Sequence, residues 1–363
     1  MSWSRRLFVF GVALLLGVFA TVTPSALSPN SIPAYAVPPA PNTNTAGATV
    51  TANVLGTQLR FYYQLDGNPI DAWNSTPVPG PGAYSRPAIA RDGSATVIAA
   101  KGPDNSLYFY WNLHGSPTWN YAEVAGPGTI LSAPSIVRDS TRTMIAATTL
   151  AGDVAVYTNL HGSPAWTAEF LATTYAQGVP SLVRDGTTTA LAFRGVADSL
   201  YFSWRWNSGS TWTQTLVDFA GSTASDPSLV RDGTSSALVT RSPSNALRYY
   251  RNLHGTPNWI MTQLHDPGYL AANSEPQLAD DGTTSAMIVQ RANGSLDYFY
   301  RLNSGNYAWS FLELEWPNVA HSPSLSRDTS ATRIVAPSDD GTHLRFYRSF
   351  HGRPWAVGAF PVS

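Results

Sequence analysis

The feature that most constrains this chain is a unit of about 47 residues, written six times with a partial seventh copy at the front. Each full copy begins with a proline, then an apolar segment and an Asp-Gly-type turn, as in Pro180-Ser-Leu-Val-Arg-Asp-Gly186. The prolines are separated by 47, 46, 47, 49 and 47 residues; they are Pro87, Pro134, Pro180, Pro227, Pro276 and Pro323. A period of this length is typical of solenoids, propellers and arrays.

One copy, residues 179–225, predicts four short antiparallel strands. Residues 180–184 form the first strand, and Asp185-Gly186 predicts a two-residue type I′ turn. Residues 189–194, the aromatic run 200–204 and residues 212–217 supply the other three strands. Four strands per copy predict an all-β fold, a seven-bladed β-propeller with four antiparallel strands per blade. The alternative, an open β-solenoid, would favour shorter repeats and need capping units.

The N-terminus has the pattern of an export signal. Arg5 and Arg6 precede an apolar run over residues 7–22, and Ala34-Tyr35-Ala36 is a small-x-small cleavage pattern. We therefore predict a signal peptide over residues 1–36 and a secreted, extracellular protein. Cleavage nearer Ala26 and an uncleaved membrane anchor are the alternatives, whereas a lipoprotein is excluded because the chain has no cysteine.

The mature chain is expected to contain a proline-rich segment, residues 37–45, and a single propeller domain, residues 46–363. The first strand of blade one should fall in that proline-rich segment, which is a poor strand former. The last copy ends on its own fourth strand, so the C-terminus supplies no spare strand. Either the N-terminal segment fills the gap irregularly, or side-chain packing alone closes the ring.

Composition narrows the partners. Only 12% of residues are charged and the net charge is -1. The chain therefore lacks the positive charge that binding to nucleic acid or an anionic membrane would require. Without cysteine, neither disulfides nor thiolate metal sites are available. We expect no nucleic-acid partner and no membrane insertion of the mature chain; the oligomeric state stays open. Aromatic residues are conspicuously frequent, with 12 tryptophans and 17 tyrosines.

A tryptophan begins the fourth strand of every copy. An indole face binds the apolar C–H face of a pyranose ring, so these residues are candidate carbohydrate platforms; packing between strands is the alternative. The seven are Trp73, Trp119, Trp166, Trp212, Trp259, Trp309 and Trp355.

Four copies also carry a His-Gly turn before that tryptophan, as in Asn112-Leu-His-Gly-Ser-Pro-Thr-Trp119. The histidines are candidate partners for sugar hydroxyls, with stabilisation of the turn as the alternative; they are His114, His161, His254 and His351. Equivalent positions on neighbouring blades lie about 10 Å or more apart, so they cannot share a metal ion. We expect no metal and no cofactor.

The arginines that end the first strands are expected to brace the turns that follow them; they are Arg91, Arg138, Arg184, Arg231 and Arg327. Catalytic patterns are weak. None of the five glutamates holds an equivalent position that marks one special site, and no nucleophile, phosphate or metal motif is present. No catalytic residue is predicted, and the protein is expected not to be an enzyme.

The unit from Ala190 to Trp204, followed by Ser-Gly-Ser-Thr-Trp212, resembles the repeats of bacterial seven-bladed propeller lectins of the Photorhabdus-lectin type. The third-strand pattern Leu59-Arg-Phe-Tyr-Tyr-Gln64 is also similar to that of fungal fucose-binding lectins, which are six-bladed. The resemblance covers residues 46–363 and implies multivalent binding of fucose or related sugars in grooves between blades. The His-Gly-x-Pro turn departs from both families.

We therefore predict a secreted carbohydrate-binding protein whose partners are glycans or glycoconjugates. Its alternatives are a protein-binding scaffold and a glycoside hydrolase or lyase with one central site. Copies one, four and six lack the His-Gly turn, so the binding sites are expected to be unequal.

Overall fold

Every copy of the repeat folds into four strands that pair antiparallel in chain order. The computed structural model describes residues 35–36, 48–55, 57–65, 69–114, 116, 118–171, 175–231, 234–254, 256, 258–304, 308–315, 319, 323–338, 342–351 and 353–361. All of these residues fall within one unit, Ile32–Ser363. The expected all-β propeller with four antiparallel strands per blade is confirmed.

Within the described ranges the strands, numbered in chain order, pair into seven four-stranded sheets, which we call sheets 1 to 7. Sheet 1 contains β1 (Tyr35–Ala36), β2 (Ala48–Leu55), β3 (Gln58–Leu65) and β4 (Asn74–Pro77). Sheet 2 contains β5 (Ala88–Arg91), β6 (Ala95–Lys101), β7 (Leu107–Leu113) and β8 (Asn120–Ala125). Sheet 3 contains β9 (Ser135–Arg138), β10 (Arg142–Thr148), β11 (Val154–Leu160) and β12 (Thr167–Leu171).

Sheet 4 contains β13 (Gln177–Arg184), β14 (Thr188–Arg194), β15 (Leu200–Trp206) and β16 (Thr213–Asp218). Sheet 5 contains β17 (Ser228–Arg231), β18 (Ser235–Arg241), β19 (Leu247–Leu253) and β20 (Ile260–His265). Sheet 6 contains β21 (Gln277–Asp280), β22 (Thr284–Gln290), β23 (Leu296–Leu302) and β24 (Ser310–Glu315). Sheet 7 contains β25 (Ser324–Arg327), β26 (Ala331–Pro337), β27 (His343–Phe350) and β28 (Ala356–Pro361). Single 3-10 turns occur at Pro103–Asn105 and Val196–Asp198.

The core lies between sheets rather than within one of them. First strands of neighbouring sheets contact one another in order from β5 to β25, so they form the inner wall of the ring. The second strands are buried on both faces, and β18 and β22 are buried along their whole length. A strand covered on both sides needs apolar or small residues at every position, which explains runs such as Ala95-Thr-Val-Ile-Ala-Ala100.

The turn after the first strand differs from the two-residue type I′ turn predicted at Asp185-Gly186. The strands separate after Arg184↔Thr189, and the backbone amide of Asp185 donates to the Thr188 carbonyl at 3.0 Å. Asp185 Oδ1 accepts hydrogen bonds from the amides of Thr187 and Thr188, both at 2.7 Å. The aspartate side chain therefore shapes a longer loop from within, an arrangement that the dipeptide alone does not reveal.

The first strand of sheet 1 lies before the position that the sequence predicted. Expected within residues 37–45, it is the dipeptide Tyr35–Ala36, which pairs with Asn53 and Ala52 of β2. Residues 37–47 lie outside the described part of the chain. A two-residue strand of Tyr and Ala has the backbone donors that prolines lack. Sheets 2 to 7 each have an inner strand of at least four residues, whereas the inner strand of sheet 1 has two.

Over the described ranges, no helix has the length and hydropathy required to cross a membrane. The apolar run over residues 7–22 lies outside those ranges. The predicted signal peptide therefore stays a prediction from the sequence.

Candidate ligand-binding site

The candidate tryptophans lie between neighbouring sheets. Each precedes its fourth strand, which begins one residue later than the sequence predicted. Trp119 of sheet 2 is 7% exposed and meets the Phe61 ring of sheet 1 edge-on, with ring centroids 5.1 Å apart. Five further indoles repeat this edge contact with an aromatic ring of the preceding sheet: Trp166 on Phe109, Trp259 on Phe202, Trp309 on Tyr249, Trp355 on Tyr298 and Trp73 on Phe346. All of the candidate tryptophans except Trp119 are half-buried. Their contacts hold sheet against sheet, and their role as sugar platforms stays a prediction.

Copies four and six, which lack the His-Gly turn, place an arginine under the indole. The Arg205 guanidinium lies 4.9 Å from the Trp212 ring and donates to Glu169 Oε1 at 2.9 Å. Trp212 Nε1 donates to Glu169 Oε2 at 3.0 Å. The Arg301 guanidinium lies 5.1 Å from Trp309 in the same way. Both carboxylate oxygens of Glu169 are thus occupied by protein donors.

The candidate histidines brace the turn between the first and second strands. His114 Nδ1 lies 3.2 Å from the Gly93 carbonyl, and Nε2 accepts from Arg91 Nε at 3.2 Å. His161 makes the same contact to the Ser140 carbonyl, at 3.2 Å, and His254 Nε2 lies 3.3 Å from Ser236 Oγ. Burial lowers the pKa of His114, His161 and His351, and neighbouring arginines lower it further. At these three positions the lowered pKa favours the neutral imidazole. The part of all four histidines in sugar binding stays a prediction.

The same position is an asparagine in copies four and six. Asn207 Oδ1 accepts from Thr189 Oγ1 at 2.8 Å, and its amide donates to the Asp185 carbonyl at 2.9 Å. Asn303 Oδ1 likewise accepts from Ser285 Oγ at 2.8 Å. Because a histidine and an asparagine meet the same hydroxyl from the second strand, the position serves the turn in both kinds of copy.

The first-strand arginines brace turns, but four of them reach the turn of the preceding sheet. We call these pairs the Arg–Asp ring: Arg138–Asp92 at 2.7 Å, Arg184–Asp139 at 2.5 Å, Arg231–Asp185 at 2.6 Å and Arg327–Asp281 at 2.8 Å. Burial opposes ionisation of Asp185, but hydrogen bonds from Thr187 and Thr188 and the Arg231 guanidinium outweigh it and lower its pKa to about 2. These pairs tie sheets 3, 4, 5 and 7 each to the sheet before it.

Sheet 6 interrupts this pattern, because Asp280 stands where the first strands of sheets 2 to 5 and 7 end in arginine. At the opposite end of the sheet, beyond β22, sheets 5 and 6 form a cleft of about 360 Å³. We call this space the 5/6 cleft; it is lined by His265, Asp266, Pro267, Gly268, Tyr269, Arg291, Ala292 and Asn293. Its volume lies at the lower end of the range for small-molecule sites.

Arg291 is the charged centre of the 5/6 cleft. Its guanidinium lies 5.3 Å from the Tyr269 ring, and Nη1 donates to Glu313 Oε2 at 3.2 Å. Nε lies 3.6 Å from Asp297 Oδ2, which also accepts a short hydrogen bond from the Tyr269 hydroxyl. The His265 ring stacks on the Tyr269 ring, with centroids 3.7 Å apart. Arginine, tyrosine and histidine therefore form one ordered stack at the wall of the cleft.

Two carboxylate oxygens beside this stack accept no hydrogen bond from the described residues. Asp297 Oδ1 and Glu313 Oε1 are buried and have no hydrogen-bond partner among the described residues. Asp297 has no exposed side-chain surface, and its burial raises the pKa of its carboxyl group. Burial also lowers the pKa of His265. Buried polar atoms without partners are uncommon in folded proteins and mark positions where a ligand or water supplies the missing bond.

No glutamate was expected to hold an equivalent position that marks one special site, and that expectation stays a prediction, although two glutamates do share a register. Glu123 pairs with Tyr108 in sheet 2, and Glu313 pairs with Asp297 at the same register in sheet 6. Both glutamates lie four residues after the tryptophan of their copy, so the sequence could have shown this equivalence. The signal that would have found the cleft is arginine after the second strand, where other copies have Gly102, Thr149, Gly195, Ser242 or Ser338.

The described residues contain no group of three or more His, Asp or Glu side chains that could hold a metal ion. The 5/6 cleft contains the cationic Arg291. Its N–H donors suit hydroxyl groups, whereas its positive charge disfavours a metal ion. Paired donors and acceptors on planar charged groups form strong, directional hydrogen bonds.

No protein-family model matches the chain, and no curated protein matches it. Among solved structures, the BP39L lectin from Burkholderia pseudomallei is similar, with a TM-score of 0.75 and 15% sequence identity. The match covers 91% of this chain and 98% of the lectin. The chain is a β-propeller. At this identity the likeness concerns the fold alone.

Two other propeller structures are similar at lower scores. A mutant of Aleuria aurantia lectin bound to α-methyl-L-fucoside has a TM-score of 0.54 and 10% identity, covering 76% of this chain and 95% of the lectin. A structure from a study of two prolyl endopeptidases has a TM-score of 0.57 and 13% identity, and the match covers 89% of this chain but 50% of that protein. Structures of different kinds of protein therefore share this fold, and the likeness alone does not assign a function to this chain.

Proposed function

We propose that this protein is a secreted, multivalent carbohydrate-binding propeller with seven blades and sites in the grooves between them. The proposal that sheet 1 closes the ring of blades is supported by its contacts with sheet 7. Trp73 meets Phe346 edge-on at 4.9 Å, as other indoles meet the sheet before them, and Arg348 Nη1 donates to Gln64 Oε1 at 3.3 Å. Secretion is supported by the signal-like N-terminus, and a kinship with the Photorhabdus-type lectins by the repeat pattern.

The observation that carries the proposal is the Arg291 stack at the wall of the 5/6 cleft. A sugar presents neighbouring hydroxyls, each a donor and an acceptor, on a mostly apolar ring. In the 5/6 cleft, Arg291 supplies donors, while Pro267 and Ala292 line the cleft with apolar surface. Glu313, which does not line the cleft, holds the Arg291 guanidinium in place. This combination of an apolar wall and a few fixed polar groups fits one or two sugar rings.

Multivalency is supported by two other grooves that hold a carboxylate beside an aromatic ring. Between sheets 4 and 5, Asp218 Oδ2 accepts from the Tyr250 hydroxyl at 2.8 Å, and Arg248 lies 3.7 Å away. On sheet 2, facing sheet 1, Glu123 accepts from the Tyr108 hydroxyl at 3.1 Å. The three grooves differ in charge, so their affinities should differ, and several weak sites on one body gain strength on a glycan surface.

Fucose and related sugars are the first ligands to test. Lectins with similar folds, the Aleuria aurantia lectin mutant and SapL1, have been crystallised with α-methyl fucoside. A glycan array would identify the sugar, and calorimetry with the monosaccharide would give affinity and stoichiometry. We expect Arg291→Ala and Glu313→Gln each to weaken binding at least about tenfold, the loss of one charge-assisted hydrogen bond.

The matched control is Arg353→Ala, an exposed arginine in the turn between the third and fourth strands of sheet 7. It should leave the affinity unchanged. Absence of binding both on the array and in calorimetry would remove the proposal. Binding that survives Arg291→Ala would move the site to the tryptophan grooves.

The same variants separate the two alternatives. A glycoside hydrolase would turn over a chromogenic glycoside and lose that activity with Glu313→Gln. A protein-binding scaffold would retain a defined partner in the presence of excess free sugar. The stack at Arg291 does not favour a hydrolase, because Asp297 is enclosed and cannot reach a glycosidic bond directly. It contains no feature that favours a protein partner.

A further inference from the structure

The last residue of the third strand is apolar and exposed in five consecutive sheets. We call this set the apolar ring: Leu113, Leu160, Trp206, Leu253 and Leu302, which are 54%, 53%, 58%, 45% and 60% exposed. Each pairs with the first residue of the second strand, as Leu113 pairs with Ala95. Because the register is the same in each sheet, the five side chains lie at one end of the ring of blades.

Single exposed leucines are ordinary on protein surfaces, but the same exposed position in consecutive blades is not scatter. The first residue of the third strand, such as Leu107 or Leu247, is fully buried and needs its leucine for the core. The last residue has no such need, and a polar side chain there would cost the fold nothing. Exposed apolar side chains that recur at one end of the ring of blades form a candidate interaction surface.

The charge of this end decides what kind of partner fits. The acidic side chains of its turns are neutralised by the Arg–Asp ring, for example Asp92 by Arg138 and Asp185 by Arg231. The face therefore offers no attraction to anionic lipid headgroups. The net charge of the chain is -1, so two copies do not repel each other. We propose that the apolar ring binds the apolar ring of a second copy of this chain.

The available area is consistent with a stable pair. If a whole large side chain presents about 150–250 Å², four leucines and one tryptophan that are each about half exposed offer on the order of 400–700 Å² of apolar surface per copy. The turn residues between them would add the polar rim, which brings each face near the roughly 800 Å² per partner of a standard interface. A face that pairs with itself is the arrangement that a two-fold dimer requires.

Pairing at this end leaves the 5/6 cleft open. The cleft lies at the turn between second and third strands, whereas the apolar ring lies beside the turn between third and fourth strands. Successive turns of an antiparallel sheet occupy opposite ends, so the clefts of both copies would face away from the interface. The proposal nevertheless stands without any ligand in the clefts.

The test is the mass of the secreted protein in solution. Light scattering after size exclusion, and sedimentation velocity up to about 100 μM, should give twice the mass of one chain. Leu160→Ser/Leu253→Ser should give the single mass, while Phe170→Ser should still give the double mass. Phe170 is 60% exposed on a fourth strand, away from the ring. A wild-type monomer at 100 μM, or a double variant that remains a dimer, would overturn the proposal.

A second measurement covers the case in which the double variant does not fold. The chain has no cysteine, so single-cysteine variants can be cross-linked without background. Cysteine at the ring positions should give dimers with a short bismaleimide, and Phe170→Cys should not. Cross-linking at Phe170 but at no ring position, or ring-dependent binding of monomers to phosphatidylcholine vesicles, would contradict pairing with a second copy.

Discussion

Replacing Trp119 with alanine separates the two roles considered for the tryptophans. The indole is 7% exposed and packs on Phe61 of the neighbouring sheet. Its cluster also contains Leu59 of sheet 1 and Ile98 and Tyr110 of sheet 2. If the fourth-strand tryptophans hold blade to blade, the first effect of Trp119→Ala is a loss of stability, whether or not a sugar is present.

The size of that loss follows from the burial of the side chain. An indole removes about 200 Å² from water, which at about 25 cal/mol per Å² is about 5 kcal/mol. Alanine retains a small part of this area, and Trp→Ala changes in cores cost about 3–5 kcal/mol. With about 300 ordered residues and an unfolding entropy of about 2.1 cal/mol/K per residue, the melting temperature should fall by about 5–8 °C.

Differential scanning calorimetry of the secreted protein would measure this shift. Phe170→Ala is the control, because this aromatic ring is 60% exposed and its removal should lower the melting temperature by less than about 2 °C. If Trp119→Ala melts within 1–2 °C of the wild type, the indole does not carry the contact between sheets 1 and 2. In that case its burial would have to be explained by a ligand.

Three further predictions concern the ring axis and the N-terminus. Gly178→Ala should destabilise the protein by at least about 1 kcal/mol by chemical denaturation, because φ is +67° and the new Cβ would meet Asp226 Oδ1 at 1.8 Å; Gly186→Ala, which meets nothing within 4 Å, should be neutral. Burial and the nearby Glu275 raise the pKa of Asp226 to about 6, against the opposing charges of Arg86 and Arg194. The folded state therefore holds this proton more tightly than the unfolded state, so stability should fall as the pH rises from about 4 to 6. Asp226→Asn should remove that part of the loss and melt higher than the wild type at pH 8, and an unchanged pH profile would contradict it. Mass spectrometry of the secreted protein should find a start upstream of Tyr35, because cleavage after Ala36 would remove β1; a start at Val37 would show that sheet 1 forms without it.

The repeat was enough to predict the strands but not every connection between them. The second and third strands of copy four were expected at 189–194 and 200–204, and they form at Thr188–Arg194 and Leu200–Trp206. Alternation of short apolar runs and polar turns depends on local chemistry, which a sequence displays directly. The turn at Asp185 was misread because the aspartate side chain, rather than a positive φ, closes it.

Contacts between blades were harder to predict than strands. The arginines were expected to brace the turns next to them, yet Arg184 crosses to Asp139 of the previous sheet. Sequence separation within one copy says nothing about which residue of the neighbouring copy lies opposite. Likewise, the repeat showed a tryptophan in every copy, but only the fold shows that its partner is an aromatic ring of the preceding sheet.

The same reasoning explains why the best-formed site lies where the repeat is broken. A residue present in every copy has a partner in every copy, so His114 is held by Arg91 and the Gly93 carbonyl, and little of its hydrogen-bonding capacity remains for a ligand. A ligand needs groups that the fold has not used. Arg291 meets that condition in part, because it lines the 5/6 cleft and no other copy has an arginine at its position. In this chain the regular positions hold the blades together, and the candidate site is proposed where the repeat departs from its pattern.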